Sequence, residues 1–175
     1  MAGIGMKDIA ERGEAPMGSV YHHFPGGKTQ LVSEALEIHA GKSRTLLASF
    51  FDGKRSAAAA IRLLFNTAAA GFERAGANKG CAIGAVTLDV TDADESLRHI
   101  CAATFDSWVA VIAAHLPWND ARSRHSFANV IVVALEGAFI LSRARRSGTP
   151  FREAGRWLSE LAAAQQEPSR RRRKA

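Results

Sequence analysis

The residues best suited to chemistry sit together near the N-terminus, in MKDIAERGEAPMGSVYHHFPGGK, Met6 to Lys28. Ser19, Tyr21 and His22 carry groups that hydrogen-bond phosphates or base edges. Gly18 has no side chain, so a nucleic-acid backbone can come close. Lys28 offers a cation to a phosphate. The spacing predicts a short helix over Met6–Arg12, a break at Gly13, and a second helix through His23 with Pro16 in its first turn. Pro25-Gly26-Gly27 then forces a corner. Two short helices joined this way can set the second in a major groove. The same residue types also fit a solvated face over a small core that includes Tyr21 and Phe24.

Other candidate chemistry falls away on spacing. Gly26-Gly27-Lys28-Thr29 ends like a phosphate loop, but His22 stands where that pattern needs a glycine, and no strand precedes it. His22 and His23 are adjacent and point to different sides of a helix. His39, His99, His115 and His125 have no partner at ligand spacing, so no metal is expected. Cys81 and Cys101 form no CxxC pair, which suits inert thiols in a reducing cytosol. There is no nucleophile elbow and no HExxH. Neither enzymatic activity nor a cofactor is expected. Glu136 stands out, because it interrupts the apolar run Phe127–Leu141 and a buried carboxylate needs a partner. An arginine or a helix end is the expected one.

The elements that must position these residues are helical throughout. The chain has 175 residues, 47% of them hydrophobic, and it is rich in alanine. Of the formal +6 charge, five units come from Arg170 to Lys174, which leaves +1 for the rest. Basicity is therefore a property of the tail. Apolar residues recur at helical period over Lys28–Phe51, from Ser56 to Arg74, over Glu95–Leu116, over Asp120–Arg146 and from Pro150 to Gln166. Ser56 and Asp94 or Asp92 are candidate caps, and Gly148-Thr149-Pro150 reads as stop, cap and first-turn proline. Cys81–Val90 fits a short helix or a buried turn. The longest apolar run is shorter than a membrane span, and no membrane role is expected. The fold class is all-α.

The N-terminal stretch resembles the helix-turn-helix of the TetR/AcrR family of transcriptional regulators. Ile9-Ala10, Gly18-Ser19-Val20-Tyr21, His23-Phe24 and Lys28 carry the match. The extra glycine in Pro25-Gly26-Gly27-Lys28, with Ala15-Pro16 before it and Gly80-Cys81 later, is similar to the LmrA/YxaF-like branch. The resemblance implies that Met17, Gly18, Ser19 and His22 meet bases or backbone. It implies phosphate contacts for Tyr21, His23 and Lys28, with Lys7 a further backbone candidate. Ile9, Ala10, Val20 and Phe24 would form the head's core. Two departures accompany it. Glu14 occupies the place of the usual turn glycine. The family also has a helix before this motif, whereas only Met1 to Gly5 precede it here, so the head is expected to lack its first helix and part of its support.

The expected organisation is a partial DNA-binding head at 1–45, a helical ligand-binding and dimerisation domain at 46–167, and a basic disordered tail at 168–175. The implied protein is a cytoplasmic repressor that holds double-stranded operator DNA as a homodimer. Its last two helices, at about 120–146 and 150–166, would pair the subunits. A small apolar effector would meet Phe65, Phe72, Phe105, Trp108 and Phe127, which serve equally well as ordinary core. The rival expectation is a helical dimer with an impaired head, acting as a ligand binder or pairing with a full-length relative.

Overall fold

Local side-chain chemistry sets several helix starts. The Ser56 hydroxyl accepts the Ala59 N–H at 3.2 Å. The Asp120 carboxylate accepts the N–H groups of Arg122 and Ser123 at 3.2 and 2.9 Å. These bonds satisfy amides that the first turn of a helix leaves without a partner. The computed structural model describes residues 5–53, 55–77, 80–91 and 94–165. Among them are eight helices and no strand: α1 (Met6–Arg12), α2 (Met17–His23), α3 (Gly27–Phe50), α4 (Ala57–Arg74), α5 (Ala82–Asp89), α6 (Glu95–His115), α7 (Ala121–Arg145) and α8 (Thr149–Ala164). The all-α expectation is met. The ambiguous Cys81–Val90 stretch is resolved as α5. The expected tail lies outside the described residues.

Contacts divide the chain into two units. Residues up to Lys42 group with Ala82–Thr104, and Ser43–Cys81 group with those from Phe105 onward. In the first unit, Ala10, Val20, Leu36, Ile83 and Leu97 are buried. Cys101 is buried there too, with its thiol 3.9 Å from the Ile83 carbonyl.

The second unit is built on α4 against α8. Ile61, Leu64, Phe65, Ala69 and Phe72 recur at helical spacing and are all buried. Phe151, Gly155, Leu158 and Ala162 form the buried stripe of α8. Gly155 permits the close approach, because a Cβ there would lie 2.5 Å from the Cβ of Phe65. The Phe151 ring meets Phe139 at 4.9 Å and Phe72 at 6.0 Å between centroids. At the rim, Arg152 donates to both oxygens of Glu73 at 2.9 and 2.7 Å, and the Gly148 N–H adds a third bond at 3.2 Å. The arginine holds the Glu73 carboxyl below its ordinary pKa.

One expectation needs correcting. By length and composition α6 and α7 are both apolar enough to cross a bilayer, although sequence suggested too short a run. Core and interface helices share that property, and α7 carries Arg122, Arg124, Glu136, Arg143 and Arg145 along its length.

Gly155→Ala should lower stability by about 1–3 kcal/mol through overpacking against Phe65. Gly71→Ala meets nothing within 4 Å. It should raise stability by about 0.5–1 kcal/mol through helix propensity. Urea unfolding of the two variants tests the contrast, and equal effects would remove Gly155 as the site of close approach.

Candidate nucleic-acid interface

The turn between α1 and α2 is a closed hydrogen-bonded motif. The Ala15 N–H reaches back to the Ala10 carbonyl at 2.9 Å, and the Glu14 N–H to the Glu11 carbonyl at 3.2 Å. This is the Schellman pattern, whose left-handed residue is commonly glycine. Here Gly13 has φ −86°, and the left-handed position falls on Glu14, at φ 51°. Sequence placed the break at Gly13; the strained residue is its neighbour. Pro16 also differs by one place from its expected position. It precedes α2 as the cap residue, with φ −60° and ψ 134°.

Helical spacing then sorts α2 into two faces. Val20 is buried, 7% exposed, as is Ala10 of α1. Met17 and Phe24, three and four residues away, are half-buried on the same side. Gly18, Ser19, Tyr21, His22 and His23 are exposed. A Cβ built on Gly18 would meet nothing within 4 Å, so its surface is open. The rings of His22 and His23 touch edge to face at 5.4 Å.

The cations flank this face in sequence. Lys7 is exposed on α1, 3.9 Å from Glu11. Lys28 is half-buried in the first turn of α3. The corner before it depends on the extra glycine, since Gly27 has φ +68°. Gln30 ties the corner together: its amide oxygen accepts the Gly26 N–H at 2.8 Å, and its amide nitrogen donates to the His23 carbonyl at 3.5 Å. All eight residues expected to touch DNA are therefore on α1, on α2 or at the start of α3. Seven of them carry exposed or half-exposed surface on the two short helices.

The five aromatic residues expected around an effector have different surroundings. Phe65 and Phe72 are closed into the packing of α4 on α8. Phe105 and Trp108 stack edge to face at 5.3 Å, and the Trp108 indole donates to the Ser43 hydroxyl at 3.1 Å. Phe127 lies against Trp118 at 4.9 Å. Phe105 and Phe127 keep some exposed surface.

Glu136 corrects the expectation of an arginine partner. Its carboxyl accepts a hydrogen bond from the Cys81 thiol, and burial raises its pKa above the ordinary 4.5. Its Oε1 is buried and has no hydrogen-bond partner. Sequence reasoning missed this pair, which no motif announces.

An exposed apolar strip covers α7 and α8. It comprises Val130, Val133, Ile140, Leu141, Trp157 and Leu161, with Trp157 58% exposed. Beside it lies a groove of about 530 Å³, lined by Ala134, Gly137, Ala138, Leu141, Ala154, Trp157 and their neighbours.

An all-α chain with a helix-turn-helix pair and a helical body is the architecture of a TetR-type regulator. Solved TetR regulators from Legionella pneumophila and Rhodobacter sphaeroides share it. The first has a TM-score of 0.75 at 22% identity, covering 90% of this chain and 86% of that one. The second has a TM-score of 0.77 at 21% identity, covering 90% and 87%. Residues 57–157 match the family described as "Transcriptional regulator LmrA/YxaF-like, C-terminal domain". The chain belongs to this family of transcriptional regulators. It is similar to the HTH-type regulator YxaF of Bacillus subtilis, with 30% identity over 83% of this chain and 78% of that one. It is also similar to LmrA of the same organism, with 27% identity over 91% and 86%. Membership places it among regulators rather than enzymes.

Two outcomes follow from this geometry. Glu14→Gly relieves a left-handed conformation and should stabilise the turn by about 0.5–1 kcal/mol. Amide hydrogen exchange at Ala15 should slow by roughly two- to five-fold. For Glu136 the folded-state pKa is raised. Its contribution is thus held in full below the ordinary carboxylate value and lost as pH rises through the raised value. Glu136→Gln keeps an acceptor for Cys81 and should match the parent in acid, then melt at a higher temperature at neutral pH. Parallel melting curves across that range would contradict the assignment.

Proposed function

We propose that the chain is a cytoplasmic repressor that binds double-stranded operator DNA as a homodimer and releases it when a small apolar effector binds the helical body. The observation that carries this reading is the outward face of α2. It combines exposed Ser19, Tyr21 and His22 with an open Gly18, directly opposite the buried Val20. Gly18, Ser19 and His22 would read the groove, joined by the exposed part of Met17, which is half-buried on the Val20 side. Tyr21, His23, Lys7 and Lys28 would hold phosphates.

Subunit pairing is assigned to α7 and α8. Trp157, Leu161, Val133 and Ile140 are large apolar residues left exposed on adjacent helices. Such a patch is characteristic of a protein interface. Two heads held by one interface suit successive major-groove half-sites. For the effector, Phe105, Trp108 and Phe127 are the favoured aromatic contacts. Phe65 and Phe72 would join them only if α4 and α8 parted.

Fluorescence anisotropy with the neighbouring intergenic DNA tests the reading. Gly18→Ala should leave folding intact or improve it, because alanine favours helix. It should weaken DNA binding by at least about ten-fold, or 1.4 kcal/mol. Lys28→Ala should weaken binding to every sequence alike and flatten the salt dependence by about one unit of slope. Substitutions at Met17 or His22 should instead change sequence preference. If the parent chain binds no DNA at low salt, the regulator reading fails and the helical-module alternative takes its place.

A further inference from the structure

Gln30, half-buried near the start of α3, bonds both helix ends at the corner after α2. The last carbonyls of one helix and the first N–H groups of the next have no partner within their own helix. Gln30 satisfies one of each. Its amide oxygen accepts the Gly26 N–H at 2.8 Å, and its amide nitrogen donates to the carbonyl of His23, the last residue of α2, at 3.5 Å. The same nitrogen donates to the Glu34 carboxylate at 2.9 Å. A carboxylate only accepts, so Glu34 fixes which end of the amide faces Gly26. Gly26 is fitted to this contact, because a Cβ there would lie 3.1 Å from both the Cβ and the Oε1 of Gln30. The two glycines of the corner thus have separate roles. Gly27 takes φ +68°, and Gly26 admits Gln30.

We propose that Gln30 is a positioning residue for DNA binding. Its amide sets the spacing between His23 at the end of α2 and Lys28 at the start of α3, and Glu34 holds the amide in the orientation that closes the corner. The inference rests on the DNA-reading face proposed above, in which both residues hold phosphates. Gln30 acts on affinity through them. The backbone supplies a second tie, from the Gly27 N–H to the Phe24 carbonyl at 2.8 Å, so loss of Gln30 loosens the corner without opening it.

The test uses the full-length chain, fluorescence anisotropy with the neighbouring intergenic DNA, and amide exchange of the DNA-free protein. Gln30→Ala should speed exchange of the Gly26 N–H by about five-fold and weaken DNA binding by a similar factor, the scale of one lost hydrogen bond. Lys28→Ala should cost about three-fold less affinity in the Gln30→Ala background than in the parent, because a misplaced lysine has less to lose. A residue that served only the fold would leave that cost the same in both backgrounds. Gln30→Glu combined with Glu34→Gln keeps the net charge and an acceptor for Gly26, and it exchanges donor and acceptor between the two side chains. It should return both readouts to within about two-fold of the parent. Should Gln30→Ala unfold the head, Gln30→Asn keeps the amide, shortens its reach by one methylene and takes its place in the cycle. If the parent binds DNA and the cycle is additive, or Gln30→Ala binds as tightly as the parent, the proposal is overturned and the DNA-reading face stands. A parent chain that binds no DNA at low salt overturns both.

Discussion

The close approach of α4 and α8 is the constraint on which the second unit depends. Gly155 brings the Phe65 side chain against the backbone of α8. Once that distance is set, Phe151 has a defined place between Phe72 and Phe139. The Glu73–Arg152 pair adds direction at the rim. It is exposed, so its worth is orientation more than energy. With one face of α8 committed to α4, the opposite face has no choice but to present Trp157 and Leu161 outward. The exposed strip is a consequence of the packing behind it.

The head obeys a different rule. Two seven-residue helices are too short to be stable through propensity alone. Their arrangement rests on the burial of Ala10 and Val20 and on the hydrogen-bonded turn between the two helices. That turn requires a left-handed residue at a fixed count from the end of α1, and the count lands on Glu14. A second left-handed residue, Gly27, closes the far side of α2. α2 is therefore held between two backbone corners, one relaxed and one strained.

Features set by neighbours in sequence were legible in it. Ser56 caps α4 through a bond spanning three residues, as its position predicted. At α8 the proline does fall in the first turn, but the cap is Gly148, and Thr149, the expected cap, is already helical. The two faces of α2 followed from a three-to-four spacing. The family resemblance put the turn-glycine position on Glu14, and the hydrogen-bond ladder makes that residue the left-handed one. Glu136 was harder still. Its partner is remote in sequence and uncharged, so a search for a compensating cation could not find it. The phenylalanines were ambiguous for another reason: side chains of one type fill a core or line a pocket, and only packing density distinguishes them.

Charge explains why pairing matters to the proposed function. Between Gly5 and Lys28, the cations Lys7, Arg12 and Lys28 are matched by Asp8, Glu11 and Glu14. A single head with no formal excess charge gains little from counterion release, the usual source of DNA affinity. Two heads on one rigid interface change the balance, because the second contact becomes intramolecular. Linked contacts of this kind raise affinity by roughly 10²–10⁴ without any new bond. On this reading the apolar face of α7 and α8 governs occupancy of DNA as strongly as the reading helix does. A molecule that alters the pairing geometry then controls binding without touching the head.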